Sequence, residues 1–161
     1  MRWLRFAVLT CLVTVLQASL LADLNIKPDL LLILMVFFAI YSNTSSAVIT
    51  SFTIGFAADI IMFGSAMGPQ MISFGLFGTA LSYLHRVITI RKMPYQALAI
   101  FVTALLAGLL AHFLGYLRSE PTPPNIYAVL FWTSLLSGLV GPFLFLPSAW
   151  WMRIKIDRSR R

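Results

Sequence analysis

Hydrophobic residues occur in six long runs along the chain. The runs are Phe6–Ala22, Leu30–Tyr41, Ala47–Phe63, Pro69–Leu84, Pro94–Leu117 and Ile126–Met152. They lack the alternation of apolar and polar residues that marks the strands of a transmembrane barrel. Because every backbone amide in hydrocarbon must be paired within the protein, we expect the runs to be helices. The pattern predicts an all-α, polytopic integral membrane protein, with six transmembrane helices in one bundle that forms a single domain over residues 1–161.

The basic residues fall mostly in alternate gaps between these runs. If the N-terminus is cytoplasmic, only Lys27 and Arg118 lie outside. The inside segments then contain Arg2, Arg5, Arg86, Arg91, Lys92, Arg153, Lys155, Arg158, Arg160 and Arg161. Short loops rich in Lys and Arg resist translocation, so this bias favours an even number of crossings with both termini in the cytoplasm. The same topology accounts for the net charge of +7, which therefore does not indicate a nucleic-acid partner.

Composition agrees with a membrane protein, since 60% of the residues are hydrophobic and only 11% are charged. A soluble domain has about a quarter charged residues. Cys11 is the only cysteine, so the sequence predicts neither an internal disulfide nor a cysteine metal site. Arg2 and Arg5 before the first run resemble the start of a signal peptide. We interpret the run as a retained helix, because its removal would put the later segments out of phase with the charges.

The second run is short for a membrane crossing. Its twelve residues span about 18 Å of a hydrocarbon core of about 30 Å. Extending the helix from Pro28 to Ser46 gives about 28 Å, and proline is well placed at a helix start. The alternative is a re-entrant segment, which gives five crossings and leaves the basic C-terminus outside, against the charge rule. We therefore predict a spanning helix over residues 28–46.

Small residues recur at a spacing of three or four within the runs. On the third helix, Ser51, Gly55 and Asp59 lie on one face. Similar spacing joins Gly75 with Thr79, Gly78 with Ser82, Ala104 with Gly108 and Ala111, Ser134 with Gly138, and Ser137 with Gly141. Small residues let membrane helices approach closely. The pattern predicts packing within the chain, and contact with a partner's helix is the alternative.

Asp59 is the charged residue that lies well inside an apolar run, which is where function is expected in a membrane protein. Gln17 and His112 lie at a similar depth, near the outer ends of their own runs. We hypothesise a buried cluster of Gln17, Asp59 and His112, provided that their helices are neighbours. The alternative is that Asp59 reaches the headgroups or caps the turn at Gly64.

Catalytic machinery is not indicated by the remaining polar residues. Asp29 follows Pro28 at a helix start, where a carboxylate is stabilised by the positive end of the helix dipole. The chain has no Gly-rich phosphate loop and no HExxH pattern. The sequence therefore predicts a non-enzymatic protein without a cofactor or a metal site.

Three segments carry a resemblance to a known family. They are Lys27, Pro28 and Asp29 followed by three leucines; Gly55 four residues before Asp59 and then Gly64 to Gly68; and Phe131, Trp132, Ser134, Gly138 and Pro142 before a basic tail. In this order they resemble the second helix, the third helix with its GSxxG turn, and the last helix of the MreD family of rod-shape-determining membrane proteins.

The resemblance implies a membrane scaffold of the cell-elongation machinery in the bacterial cytoplasmic membrane. Its implied partners are MreC and, through the complex, MreB, RodA and a penicillin-binding transpeptidase, with membrane lipids around it. The residues expected to form structural turns and packing contacts are Pro28, Asp29, Gly55, Gly64, Gly68, Gly138 and Pro142. The implied fold is similar to that of the substrate-binding subunits of energy-coupling-factor transporters. Binding of a small ligand as such a subunit is therefore the alternative function.

Overall fold

The computed structural model describes residues 2–20, 28–61, 68–87, 93–119 and 124–152, and these ranges form six helices. They are α1 (Arg2–Leu20), α2 (Leu30–Tyr41), α3 (Thr44–Ile61), α4 (Pro69–Val87), α5 (Met93–Leu117) and α6 (Ile126–Met152). The described ranges contain no strand, so the predicted all-helical fold is confirmed there. Lys27, Gly64 and the basic tail after Met152 lie outside the described residues.

Within the described ranges, three segments are long and apolar enough to cross a membrane: Thr44–Ile61, Pro94–Leu117 and Ile126–Trp151. The segments Trp3–Ser19 and Leu30–Tyr41 are also apolar but shorter. Large apolar side chains are exposed along the helices, far beyond the small patches that a soluble protein shows. The protein is therefore a membrane protein, as its hydropathy predicts, and the count of six crossings stays a prediction.

The centre of the fold is α2, in which every residue of Leu30–Ile40 is buried. The other five helices all contact it. Aromatic rings from α1 and α6 close around its second half. Phe6 meets Phe38 edge to face with ring centroids 5.0 Å apart, and Phe145 meets Phe37 in the same way at 5.4 Å. Edge-to-face pairs are the favoured arrangement of aromatic rings, so they fix this helix against its neighbours.

The predicted helix over residues 28–46 is wrong at its C-terminal end, because α2 ends at Tyr41. Ser42 is in an extended conformation with φ −105° and ψ 163°, and its N–H donates to the carbonyl oxygen of Phe38 at 3.0 Å. Serine and asparagine favour helix ends, and Ser42 and Asn43 separate α2 from Thr44, where α3 begins. The helix is thus about 18 Å long, and the other helices enclose it over Leu30–Ile40, whereas Asn43 at the break is exposed.

Glycines lie where helices of this chain approach most closely. A Cβ on Gly55 would lie 2.7 Å from Cα of Met71 and 2.9 Å from the carbonyl oxygen of Gln70, so α3 and α4 touch backbone to backbone. A Cβ on Gly138 would lie 3.1 Å from the carbonyl oxygen of Ala97, at the contact of α6 with α5. The structure thus uses these small residues for packing within the chain.

Candidate functional site

Asp59, near the end of α3, is buried with only 4% of its surface exposed. Its carboxylate accepts three backbone N–H groups: Oδ2 accepts from Gly68 and Met71, and Oδ1 accepts from Gln70, each at 3.0 Å. The donors belong to the start of α4, where the first N–H groups of a helix have no partner within it. The carboxylate also lies at the positive end of the α4 dipole, where a negative charge is favourable. Asp59 therefore caps α4 from a neighbouring helix.

The residues before α4 are suited to this cap. Gly68 has φ +128°, a conformation that glycine adopts without the steric cost of a side chain. Pro69 is the first residue of α4, a position where proline's missing N–H is no loss. Together they turn the chain so that three N–H groups converge on one carboxylate.

A second polar junction links α1, α2 and α6, and we call it the Gln17 junction. Gln17 Nε2 donates to Asp29 Oδ1 at 3.2 Å, and its Oε1 accepts the N–H of Leu31 at 3.0 Å. Asp29 is the N-cap of α2, with Oδ1 accepting the N–H of Leu32 at 3.1 Å. The N–H of Asp29 donates to Ser137 Oγ on α6 at 2.8 Å. Side chains of two other helices thus satisfy the buried start of α2.

His112 occupies a third location. Its ring meets that of Tyr127 edge to face with centroids 6.3 Å apart, where α5 passes α6. No hydrogen bond joins Gln17, Asp59 and His112 in the described part of the chain. The predicted cluster of these three residues is therefore wrong, since each of them contacts different partners. The three side chains were grouped by depth alone, and helices of equal depth need not be neighbours.

Two further residues predicted to form turns or packing contacts, Pro28 and Pro142, lie in the described ranges. Pro28 immediately precedes the Asp29 cap, and Pro142 lies buried inside α6. Gly64 lies outside the described residues.

Two features were missed by sequence reasoning. The spacing of Ser137 predicts only a small packing residue and does not indicate its bond to Asp29. Gln96 Nε2 donates to Tyr41 Oη at 2.8 Å, which ties α5 to the end of α2. A glutamine inside an apolar helix needs a hydrogen-bond partner, and this was the signal in the sequence that pointed to such a contact.

An open groove lies between α1 and α6, with α2 as its floor, and we call it the α1–α6 groove. Its volume is about 350 Å³. It is lined by Val8, Leu9, Leu12, Val13, Leu16, Leu30, Ile33, Leu34, Leu144, Pro147, Ser148, Trp150 and Trp151. All of these side chains are predominantly apolar except Ser148, so the groove suits a hydrocarbon occupant.

The described residues contain no group of three or more His, Cys, Asp or Glu side chains that could hold a metal ion. The carboxylates of Asp29 and Asp59 both cap helices, and the exposed surface is largely apolar. Fold and site together define a helical membrane protein whose interior polar groups hold its helices together.

A family model described as rod shape-determining protein MreD matches residues 1–154. The chain therefore belongs to the MreD family, as the three segments in the sequence indicate. No curated protein and no solved structure matches the chain. Family membership assigns the protein a role in determining rod shape.

Proposed function

We propose that this chain is a non-enzymatic scaffold of the bacterial cell-elongation machinery. It crosses the cytoplasmic membrane six times with both termini in the cytoplasm, and it supports peptidoglycan synthesis by binding MreC. Through that complex it associates with MreB, RodA and a penicillin-binding transpeptidase. Membership of the MreD family and the structural use of Asp29 and Asp59 as helix caps support this proposal.

The observation that carries the proposal is one exposed face of α6, which we call the α6 face. It consists of Trp132, Leu135, Leu139, Phe143, Leu146 and Trp150, all exposed. Successive members are three or four residues apart, which places them in one stripe along a helix. Apolar residues at this spacing are typical of a helix surface that packs against a second helix.

The length of the α6 face fits a transmembrane partner. From Trp132 to Trp150 the stripe covers about 27 Å, close to the thickness of the hydrocarbon core of about 30 Å. A single helix from another protein can therefore contact it through most of the membrane. We assign this face to MreC.

The groove bears on the alternative function. A site for a polar ligand combines an apolar wall with several converging polar groups. The α1–α6 groove offers the Ser148 hydroxyl among aliphatic and aromatic side chains. This lining makes the groove itself unsuited to a polar small molecule.

Photocrosslinking in native membranes tests the assigned face. Benzoylphenylalanine at Leu139 or Phe143 is expected to yield adducts with MreC, because these side chains are 66% and 67% exposed at the centre of the stripe. The matched control is Leu98 on α5, which is 59% exposed but lies on another helix. Adducts are identified by mass spectrometry.

The control should crosslink to lipid or not at all. Adducts with MreC from Leu98 but not from Leu139 or Phe143 would move the interface away from α6. If none of the three positions yields MreC, the assignment of this face is wrong.

A further inference from the structure

The α1–α6 groove has the length of one membrane leaflet. On α1 its lining runs from Val8 to Leu16, about 12 Å along the axis. Including Arg5, one turn before Val8, the distance is about 16 Å, half of a hydrocarbon core of about 30 Å. The groove therefore matches one lipid tail that reaches from the membrane surface to near the midplane.

The two ends of the groove differ in charge. Arg5 and the exposed Trp150 and Trp151 lie at one end, where Trp151 Nε1 donates to the carbonyl oxygen of Arg5 at 3.4 Å. Tryptophan is enriched at the membrane interface, which places this end at the headgroup level. The carboxylate of Asp29 lies next to Leu30 at the other end. An anionic headgroup is attracted to the Arg5 end and repelled from the Asp29 end.

Arg5 has no acidic partner among the described residues. Both described acids are engaged elsewhere, Asp59 at the start of α4 and Asp29 at the start of α2. The sequence after Met152 adds five basic residues against a single acid, Asp157. Basic pockets between transmembrane helices on the cytoplasmic side are typical binding sites for anionic lipid headgroups.

We propose that the α1–α6 groove binds one anionic phospholipid of the phosphatidylglycerol type. One acyl chain lies along Val8, Leu12 and Leu16, and the phosphate lies beside the Arg5 guanidinium. The lipid lies between α1 and α6, and the α6 face stays available to a protein partner from Trp132 to Leu146, since Trp150 belongs to both surfaces.

The charge at the Arg5 end favours a lipid over a partner's helix. Arg5 has no acidic partner among the described residues, and a lipid phosphate supplies the counter-charge that an apolar helix lacks. The acyl chain of the same lipid then lies along the apolar lining of the groove.

Native mass spectrometry of the purified full-length chain tests the proposal. The protein is equilibrated in detergent with equal amounts of phosphatidylglycerol and phosphatidylcholine that carry identical acyl chains. The wild type is expected to retain phosphatidylglycerol in preference. Arg5→Gln is expected to lower this preference about fivefold, which corresponds to about 1 kcal/mol for one basic residue near the headgroups. Leu12→Trp fills the groove and is expected to abolish retention.

The matched control is Leu98→Trp, which adds the same side chain at an exposed position on α5 and should retain lipid like the wild type. Val8→Phe is a second groove-filling variant, and circular dichroism verifies that both variants are folded. Equal retention of the two lipids by the wild type would overturn the proposal, as would unchanged retention in folded Leu12→Trp and Val8→Phe. Benzoylphenylalanine at Leu12 that crosslinks to a protein instead of lipid would assign the groove to a partner's helix.

Discussion

Asp59→Ala is expected to be the most destabilising single substitution among the polar residues. It removes the acceptor of three N–H groups at the start of α4. Each buried donor left without an acceptor costs about 1–3 kcal/mol, so we expect a loss of about 3 kcal/mol or more in the free energy of unfolding. Titration with sodium dodecyl sulfate in mixed micelles, followed by circular dichroism, measures this loss.

Two variants sharpen this result. Asp59→Asn keeps one oxygen but points an NH₂ group at a backbone donor, so its loss should fall between zero and that of Asp59→Ala. His112→Ala loses the ring contact with Tyr127, worth about 0.5–1.5 kcal/mol, and the packing of a half-buried ring, but it leaves no helix start without its acceptor, so it should cost less than Asp59→Ala. Equal losses from Asp59→Ala and His112→Ala would contradict the capping role of Asp59.

Gly55→Ala is expected to separate α3 from α4 and to destabilise the protein by about 2 kcal/mol, a typical cost of overpacking. The new Cβ meets the backbone of Met71 and Gln70, which cannot move aside without shifting the helix. The same unfolding titration measures the effect, and shape complementation in cells is expected to fall with it.

Gly108→Ala is the matched control, since it makes the same change inside an apolar helix. There the new Cβ meets the Cδ1 atom at the end of the Leu130 side chain, which can rotate away. Because alanine favours a helix over glycine by about 1 kcal/mol, this variant should be neutral or slightly stabilised. Gly55→Ala and Gly108→Ala with equal stability would show that the α3–α4 contact is not limited by backbone approach.

The helices could be predicted from sequence because lipid imposes a strong rule: an apolar run must satisfy its own backbone by forming a helix. The bounds of α6 agree with its apolar run. The end of α2 was missed because a helix surrounded by protein does not need to cross the hydrocarbon, and hydropathy does not reveal such burial. Ser42 and Asn43 were the local signal for a break.

The polar contacts were harder to predict, because they depend on which helices are neighbours. Asp29 was correctly placed at a helix start, since proline before an acid is a local signal. The bond of Asp29 to Ser137 joins residues 108 positions apart, and no local pattern encodes it. The depth of Asp59 marks it as unusual, but the sequence does not show that its partners lie at the start of α4.

These contacts fit the proposed scaffold role. Asp59 caps the start of α4, and the Gln17 junction caps the start of α2 and bonds it to α6. These contacts hold α2 and α6 in place. The bond of Ser137 to Asp29 ties α6 to α2, and a helix held in place lowers the entropy cost of binding a partner helix.

Purification of the tagged chain from its native membranes tests the scaffold role most directly. We expect MreC to be recovered with it and the ATPase subunits of energy-coupling-factor transporters to be absent. Recovery of those ATPases without MreC would contradict the scaffold role.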